Sequence, residues 1–222
     1  MIWRIAICLI LGYGFGCIST GYIVGKTKKV DIRKYGSGNV GTTNALRTLG
    51  KKAALITLLG DVLKCAVPVL LVKFLIFRGV PYAELLGLYT ALGAVLGHTF
   101  PFYLHFKGGK GIAVLCGAII TFDWRLSLIC LVTFFTILAI TRYVSLGSLV
   151  MELEFVVFVA LTRPGDWHML CVSAVFAILA FYTHRTNIKR LLNGTENKIG
   201  QKVNLAAADS GVQEGQENTS EQ

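Results

Sequence analysis

The sequence predicts an all-α integral membrane protein that crosses the bilayer seven times. Of its 222 residues, 54% are hydrophobic and only 15% are charged, and the mean hydropathy is +0.63. Soluble domains carry about 25% charged residues, so this composition is typical of a chain surrounded by lipid. Seven apolar runs are candidate spans, the fourth being the shortest and a possible half-helix. They cover residues 3–25, 53–77, 81–102, 109–124, 125–141, 144–162 and 166–183.

The basic residues are divided unevenly between the two sets of connections. Sixteen of the 22 lysines and arginines lie in the segments 26–52, 107–110, 142 and 185–202, whereas the opposite connections hold four. By the positive-inside rule, this asymmetry predicts that the N-terminus lies outside and the C-terminus in the cytoplasm. The net charge of +10 is then explained by topology, and nucleic acid is not expected as a partner.

The first run is rich in small residues, which allow helices to pack closely in lipid. They are Gly12, Gly14, Gly16, Ser19, Gly21 and Gly25. The six cysteines all fall in apolar runs, with no C-x-x-C and no His–Cys cluster. We therefore expect free thiols, with neither a disulfide nor a metal site.

The connection 26–52 has two different halves. Its basic part, 26–34, is of the kind that anionic lipid headgroups attract. The part 36–47 contains G-x-G-x-x-G, but no apolar strand precedes it, so a dinucleotide site is rejected. Its hydroxyl side chains and Arg47 could bind a phosphate. An ordinary polar loop with a helix cap is an equally open interpretation.

Two spans carry ionisable side chains. Asp61 and Lys64 are three residues apart on the second span, a spacing that predicts an ion pair inside the helix bundle. Glu152 and Glu154 on the sixth span have no obvious partner and should lie on different helix faces.

The turn 107–111 has two ammonium groups around a glycine pair and leads directly into an apolar run. Lys107 and Lys110 would supply positive charge, while Gly108, Gly109 and the following helix N-terminus would supply N–H donors. A phosphate is the natural ligand of such a turn. Lys110 is followed by Gly111, so it is not a Walker A loop. A flexible turn with two membrane-flanking lysines remains the alternative.

Beyond the last span, the segment 183–198 would place His184, Asn187 and Leu191 on one face if it is helical. Such a segment would be a short amphipathic helix at the membrane interface. From residue 203 onward the sequence is polar and lacks aromatics, which predicts a disordered tail over 203–222. We therefore expect one membrane domain covering 1–202.

Three motifs in this order resemble those of one known family. They are the segment 37–44 with Arg47, the segment 97–111, and the segment 184–190 with 194–196. Together with the connection 142–148 they closely resemble the bacterial acyl-phosphate:glycerol-3-phosphate acyltransferases, the PlsY family. Val40, Thr42 and Val114 depart from the family pattern, and Val114 removes a hydroxyl near the phosphate turn.

The resemblance implies an enzyme of the bacterial cytoplasmic (inner) membrane whose active site faces the cytoplasm. It would transfer an acyl group from acyl phosphate to the 1-hydroxyl of glycerol 3-phosphate, giving lysophosphatidate and phosphate. It also implies contact with membrane lipid, function as a monomer and no cofactor. The implied catalytic residues are His184, Asn187, Ser145 and Lys107. The implied phosphate-binding residues are Ser37, Asn39, Gly41, Thr43, Asn44, Arg47, Gly108, Gly109 and Lys110.

The sequence favours direct attack by the glycerol hydroxyl over an acyl-enzyme. None of the four histidines is followed five positions later by Asp, and no G-x-S-x-G occurs. The proton acceptor could be His184 or a phosphate oxygen of the substrate. An anion transporter and a non-catalytic headgroup binder are rival interpretations. The first is disfavoured because the polar residues cluster on one side and no internal repeat is present.

Overall fold

The computed structural model describes residues 1–200, and in that range every regular element is helical. The α-helices, numbered in chain order, are α1 (Ile2–Gly16), α2 (Thr20–Thr27), α3 (Thr42–Leu49), α4 (Lys51–Leu71), α5 (Ala83–Thr99), α6 (Ile112–Phe122), α7 (Trp124–Thr141), α8 (Val144–Thr162), α9 (Trp167–Thr183) and α10 (Arg185–Leu192). A π-helical turn, Val72–Ile76, continues α4. The predicted tail 203–222 and the last two residues of the predicted domain lie outside the described residues.

The helices agree with the predicted all-α membrane protein. Five stretches within residues 1–200 are long and apolar enough to cross a membrane, and α9 with α10, bent by 63°, would make a sixth. The five stretches are Ile2–Thr27, Lys51–Ile76, Ala83–Leu104, Trp124–Thr141 and Val144–Thr162. Helix α6 has 11 residues, about 16 Å of helix against a hydrocarbon core of about 30 Å. The count of seven crossings and the sides of the termini therefore remain predictions.

The first span is broken between α1 and α2, where the sequence had suggested one continuous helix. The phenol of Tyr103 satisfies the backbone at this break: it donates to the carbonyl of Cys17 at 2.7 Å and accepts from the amide of Ser19 at 3.2 Å. A break is tolerated at membrane depth only where protein groups replace the missing helical hydrogen bonds. Here the replacement comes from more than 80 residues away, so the local sequence does not reveal it.

Glycines allow α1 and α5 to approach backbone to backbone. A Cβ added to Gly12 would lie 1.9 Å from the carbonyl oxygen of Thr90, and one added to Gly93 would lie 2.4 Å from that of Leu9. Gly16 is equally close to Ala94, whereas Gly14 meets nothing within 4 Å. The predicted role of small residues in packing is thus confirmed for one face of α1.

The main core lies between α5, α6, α8 and α9. The rings of Phe122 and Phe155 are 5.5 Å apart and those of Phe155 and Phe176 are 5.7 Å apart, both in edge-to-face geometry. Helix α5 is the most deeply buried span, whereas α7 is peripheral and exposes most of its apolar side chains. This core holds the motif segments at the ends of packed helices.

The ionisable residues of the spans behave as two different groups. The predicted pair is confirmed, with Lys64 Nζ 2.8 Å from Asp61 Oδ1. Glu152 is buried and Glu154 half-buried on α8. One carboxylate oxygen of each, Oε2, has no hydrogen-bond partner among residues 1–200.

Candidate active site

Glu196 lies at the centre of a polar cluster at one end of the bundle. Its Oε1 accepts from Ser145 Oγ at 2.9 Å and from Asn187 Nδ2 at 2.7 Å, and its Oε2 accepts from Arg190 Nε at 2.8 Å. Burial raises the pKa of the Glu196 carboxyl, but these three hydrogen bonds outweigh it, so the pKa is lowered overall. Glu196 is therefore an ionised carboxylate at neutral pH.

The fold brings Glu196 to this position by a sharp reversal after α10. Gly194 adopts a positive φ of 68°, a conformation that glycine adopts without strain, and Thr195 N donates to Arg190 O at 2.8 Å. Farther along, Ile199 N donates to Arg142 O at 2.9 Å, which ties this segment to the connection before α8. Ser145, in the first turn of α8, is thereby placed beside Glu196.

The 107–111 turn is connected to the same cluster through Lys110. Its ammonium group donates to Asn187 Oδ1, and its carbonyl accepts from Thr183 Oγ1 at 3.3 Å. The 63° bend between α9 and α10 falls at His184. The end of α9 and the start of α10 thus both contact the turn.

His184 is buried at this bend, and its contacts fix its tautomer. Nδ1 lies 2.9 Å from the carbonyl oxygen of Ala180, which can only accept a hydrogen bond, so Nδ1 carries the proton. Burial, reinforced by the charge of Lys110, lowers the pKa of His184 to about 4. The imidazole is therefore neutral at physiological pH, and Nε2 keeps a lone pair that can accept a proton.

Three cations surround the single carboxylate of the cluster. Arg47 on α3, Arg190 on α10 and Lys110 interact electrostatically with one another and with Glu196. The pKa of Lys110 is lowered to about 8, mainly by burial. The positive charges of Arg190 and Arg47 add to this shift, whereas the negative charge of Glu196 opposes it. The cluster thus has a surplus of positive charge, which suits a doubly negative phosphate group.

The glycines of the turn do not have the role that the sequence suggested. Gly108 N donates to Thr99 O and Gly109 N donates to His98 O, each at 3.0 Å. The expectation that Gly108 and Gly109 offer their amides to a phosphate is corrected, because both amides are already bonded. A Cβ on Gly108 would lie 1.9 Å from His98 O, and one on Gly109 would lie 1.9 Å from His98 Nε2. These residues must be glycine so that the turn can pack on α5.

The backbone donors of this region lie at the start of α6 instead. The first intrahelical bond there runs from Leu115 N to Gly111 O at 2.8 Å. Among residues 1–200, the amides of residues 112–114, which precede it, have no backbone acceptor and could donate to an anion. Lys107, at the other end of the turn, has an exposed side chain.

In the 36–47 loop, Asn44 is buried and organises the backbone around it. Its amide nitrogen donates to the carbonyls of Ile32, Tyr35 and Asn39, at 3.1, 3.1 and 2.9 Å, and its Oδ1 accepts from Ser37 N at 2.9 Å. Because both amide protons are used within the loop, the predicted contact of Asn44 with phosphate is corrected to a role in holding the loop.

The other predicted residues of this loop lie around Asn44. Asn39 Oδ1 accepts from Gly41 N at 2.8 Å, and Gly41 caps α3. Ser37 is exposed, and Thr43 is half-buried in the first turn of α3. Helix α3 itself was not expected, and it brings Arg47 close enough to Glu196 for the two charges to interact.

Of the predicted site residues, the structure brings together Arg47, Lys110, Ser145, His184 and Asn187. The sequence interpretation missed Glu196 and Arg190 as members of the site. A signal was available, since Glu196 is the one acidic residue of the segment 184–198 and belongs to the third motif.

Comparison with known proteins agrees with this architecture. A model of the family described as glycerol-3-phosphate acyltransferase matches residues 6–194. The chain is 46% identical over 203 residues to the glycerol-3-phosphate acyltransferase of Clostridioides difficile (strain 630), covering 90% of this chain and 98% of that protein. It also resembles two crystal structures of PlsY (YgiH), an integral membrane glycerol 3-phosphate acyltransferase, at 34% identity. The glycerol 3-phosphate form gives a TM-score of 0.79 over 88% of this chain and 96% of that one. The lysophosphatidic acid form gives 0.76 over 89% and 96%.

Proposed function

Because the chain belongs to the glycerol-3-phosphate acyltransferase family, we propose that it transfers an acyl group from acyl phosphate to the 1-hydroxyl of glycerol 3-phosphate. The products are 1-acylglycerol 3-phosphate, which is lysophosphatidate, and inorganic phosphate. The observation that carries the proposal is the surplus of positive charge from Arg47, Lys110 and Arg190 beside the neutral imidazole of His184. Such a site can hold a phosphate and accept a proton from a hydroxyl bound next to it.

The reaction is a direct transfer in this proposal. The glycerol hydroxyl oxygen attacks the carbonyl carbon of the acyl phosphate, an ester bond forms, and the bond from the carbonyl carbon to the phosphate oxygen breaks. The hydroxyl proton goes to Nε2 of His184 or to a phosphate oxygen, and the leaving phosphate takes the electron pair. Cations fixed around the leaving group stabilise its developing charge.

The residues have distinct roles. Asn187 and Ser145 orient the glycerol hydroxyls next to His184, which lowers the entropy cost of attack. Arg47 and Lys110 bind phosphate together with the amides at the start of α6, and Lys107 supplies a further charge at the rim. Ser37, Gly41, Asn39 and Thr43 form the facing loop, which Asn44 holds in shape.

Acyl phosphate is proposed as the donor because the chain lacks the His-x-x-x-x-Asp motif of acyltransferases that use acyl-CoA. The lipid product is in keeping with the PlsY relative, which has been crystallised in a lysophosphatidic acid form. An acyl chain can remain in the bilayer while its head group meets the cluster.

The proposed setting is the bacterial cytoplasmic membrane, with the cluster facing the cytoplasm. The 16-to-4 distribution of basic residues supports this orientation. The members of the cluster described above all belong to one chain, and a monomer is the proposed functional unit.

The function is tested with purified protein in lipid bilayers, glycerol 3-phosphate and palmitoyl phosphate. We expect stoichiometric release of inorganic phosphate and 1-acylglycerol 3-phosphate, with Arg190→Ala strongly impaired and Lys189→Ala, an exposed neighbour on α10, close to wild type. Sustained turnover with palmitoyl-CoA as the sole donor, or acylation at the 2-position, would refute the proposal.

A further inference from the structure

A buried polar triad lies directly beneath the 107–111 turn. It consists of Asp61 and Lys64 on α4 and His98 on α5, whose side chains are 1%, 3% and 3% exposed. Charged groups inside a membrane protein are costly unless they are paired, and here Asp61 and Lys64 cancel each other's charge.

The ammonium group of Lys64 has three close polar neighbours. Its Nζ lies 2.8 Å from the carbonyl oxygen of Ile18 and 2.8 Å from His98 Nδ1, both within hydrogen-bonding distance, and it forms an ion pair with Asp61 Oδ1 at 2.8 Å. Ile18 belongs to the break between α1 and α2. The triad therefore joins three membrane segments at one point.

The same contacts fix the orientation of the His98 ring. A protonated lysine can only donate, so His98 Nδ1 must accept and the ring proton resides on Nε2. The Nε2 edge faces the turn, since a Cβ on Gly109 would fall 1.9 Å from it. The backbone carbonyl oxygens of His98 and Thr99 accept hydrogen bonds from the amides of Gly109 and Gly108, respectively. The turn thus rests on a ring whose rotation is prevented by Lys64.

We propose that Asp61, Lys64 and His98 are positioning residues for the reaction. They fix the position of the 107–111 turn on α5 and so direct Lys110 toward Asn187. The triad does not contact substrate, and it acts only through the turn. This inference rests on the proposed function, because Lys110 matters there as a phosphate-binding group. A displacement of about 1 Å in such a group can cost about 100-fold in rate.

The first test is a double-mutant cycle between His98 and Gly109. Gly109→Ala should lower kcat/KM for glycerol 3-phosphate by about 100-fold or more, because the new methyl group meets the ring. His98→Asn keeps an acceptor for Lys64 but removes Nε2, and it should cost about 10-fold or less. In the double variant the methyl group has room, so its activity should be close to that of His98→Asn alone. Two losses that simply multiply would overturn the proposal.

The second test separates positioning from general stability. Lys64→Met should raise KM for glycerol 3-phosphate by about 10-fold or more, whereas a smaller folded fraction would lower only the apparent kcat. Lys73→Met is the matched control. Lys73 is a half-buried lysine on the continuation of α4 whose ammonium group donates to Thr121 O at 2.7 Å, far from the turn. Its KM should stay within about twofold of wild type. Equal effects of the two substitutions on KM would contradict the proposal.

A third measurement does not depend on activity. In hydrogen exchange, the wild-type protein should show protection of the amides at 108–109. The Lys64→Met variant should lose that protection, while the 36–47 loop keeps its own. If Lys64→Met does not fold, His98→Leu takes its place. Release of the turn with unchanged KM would overturn the positioning role. If wild type fails to use acyl phosphate but the turn is released as expected, the proposed donor is wrong and the structural part of the inference stands.

Discussion

At the residue scale, the chemistry of the site depends on how burial changes ordinary side chains. Burial lowers the pKa values of both Lys110 and His184, and the charge of Lys110 lowers that of His184 further. A lowered pKa keeps His184 neutral across the physiological range, so its Nε2 lone pair is available to a proton, and it also makes the imidazole a weaker base. The same effect places Lys110 near the upper end of that range, where its charge depends on pH.

This gives a prediction for pH dependence. The pKa of Lys110 is lowered from its usual 10.5 to about 8, so its charged form prevails below that pH and is lost above it. We expect kcat/KM for glycerol 3-phosphate to fall as pH rises through about 8. In Lys110→Arg the guanidinium stays charged, so the residual kcat/KM should not fall with rising pH until above about pH 10. An unchanged alkaline limb in the variant would assign the ionisation to another group.

Substitution of His184 distinguishes its two possible roles. His184→Ala should lower kcat/KM for glycerol 3-phosphate by about 100-fold or more while barely changing the affinity for acyl phosphate. His184→Gln keeps a hydrogen-bonding group but cannot act as a base at neutral pH. Loss of activity in both variants would identify His184 as the proton acceptor. Substantial activity in His184→Gln would favour a phosphate oxygen, and wild-type kinetics in both would remove His184 from the site.

At the element scale, short non-spanning pieces build the site on the ends of the spans. Helix α3 presents Arg47, the bend between α9 and α10 places His184 beside Lys110, and the reversal after α10 returns Glu196 to Asn187. Each piece is held by polar contacts between segments far apart in sequence. Its stability therefore depends on a few hydrogen bonds more than on helix propensity.

Asn44 provides the clearest test at this scale. Asn44→Ala removes four hydrogen bonds that shape residues 32–39, so Arg47 should lose its fixed orientation. We expect kcat/KM for glycerol 3-phosphate to fall by about 10- to 100-fold, with the membrane spans still folded by circular dichroism. Asn39→Ala removes a single contact, that with Gly41 N, and should have a much smaller effect. Equal losses in the two variants would show that the network around Asn44 is not what orients the loop.

At the scale of the whole molecule, the two ends of the bundle have different character. The polar cluster and most basic residues lie toward one end, while the other carries the ion pair between Arg163 and Glu84 at 3.0 Å. This polarity agrees with the predicted orientation and would keep the site in contact with a soluble substrate. The apolar middle, with α7 at its edge, is left to the lipid.

The orientation can be measured with cysteine labelling in vesicles of known sidedness. Ser37→Cys and Leu192→Cys, both at exposed positions, should react with an impermeant maleimide in inverted vesicles but not in right-side-out ones. Pro164→Cys, in the connection between α8 and α9, should show the opposite pattern, with the unsubstituted protein as background. Labelling of position 37 from the outside would overturn the predicted topology.

The helical membrane fold, the positions of most spans, the Asp61–Lys64 pair and the family could all be predicted from the sequence. These follow from composition, apolar run length and short motifs, which are local properties of the chain. The contacts of the motif residues could not be predicted in this way. Gly108 and Gly109 pack on His98, Asn44 binds its own loop, and Glu196 gathers donors from α8 and α10. The reason is physical: a polar side chain or a bare backbone can satisfy a neighbour or a ligand equally well, and the choice depends on which groups the packed helices bring within hydrogen-bonding distance.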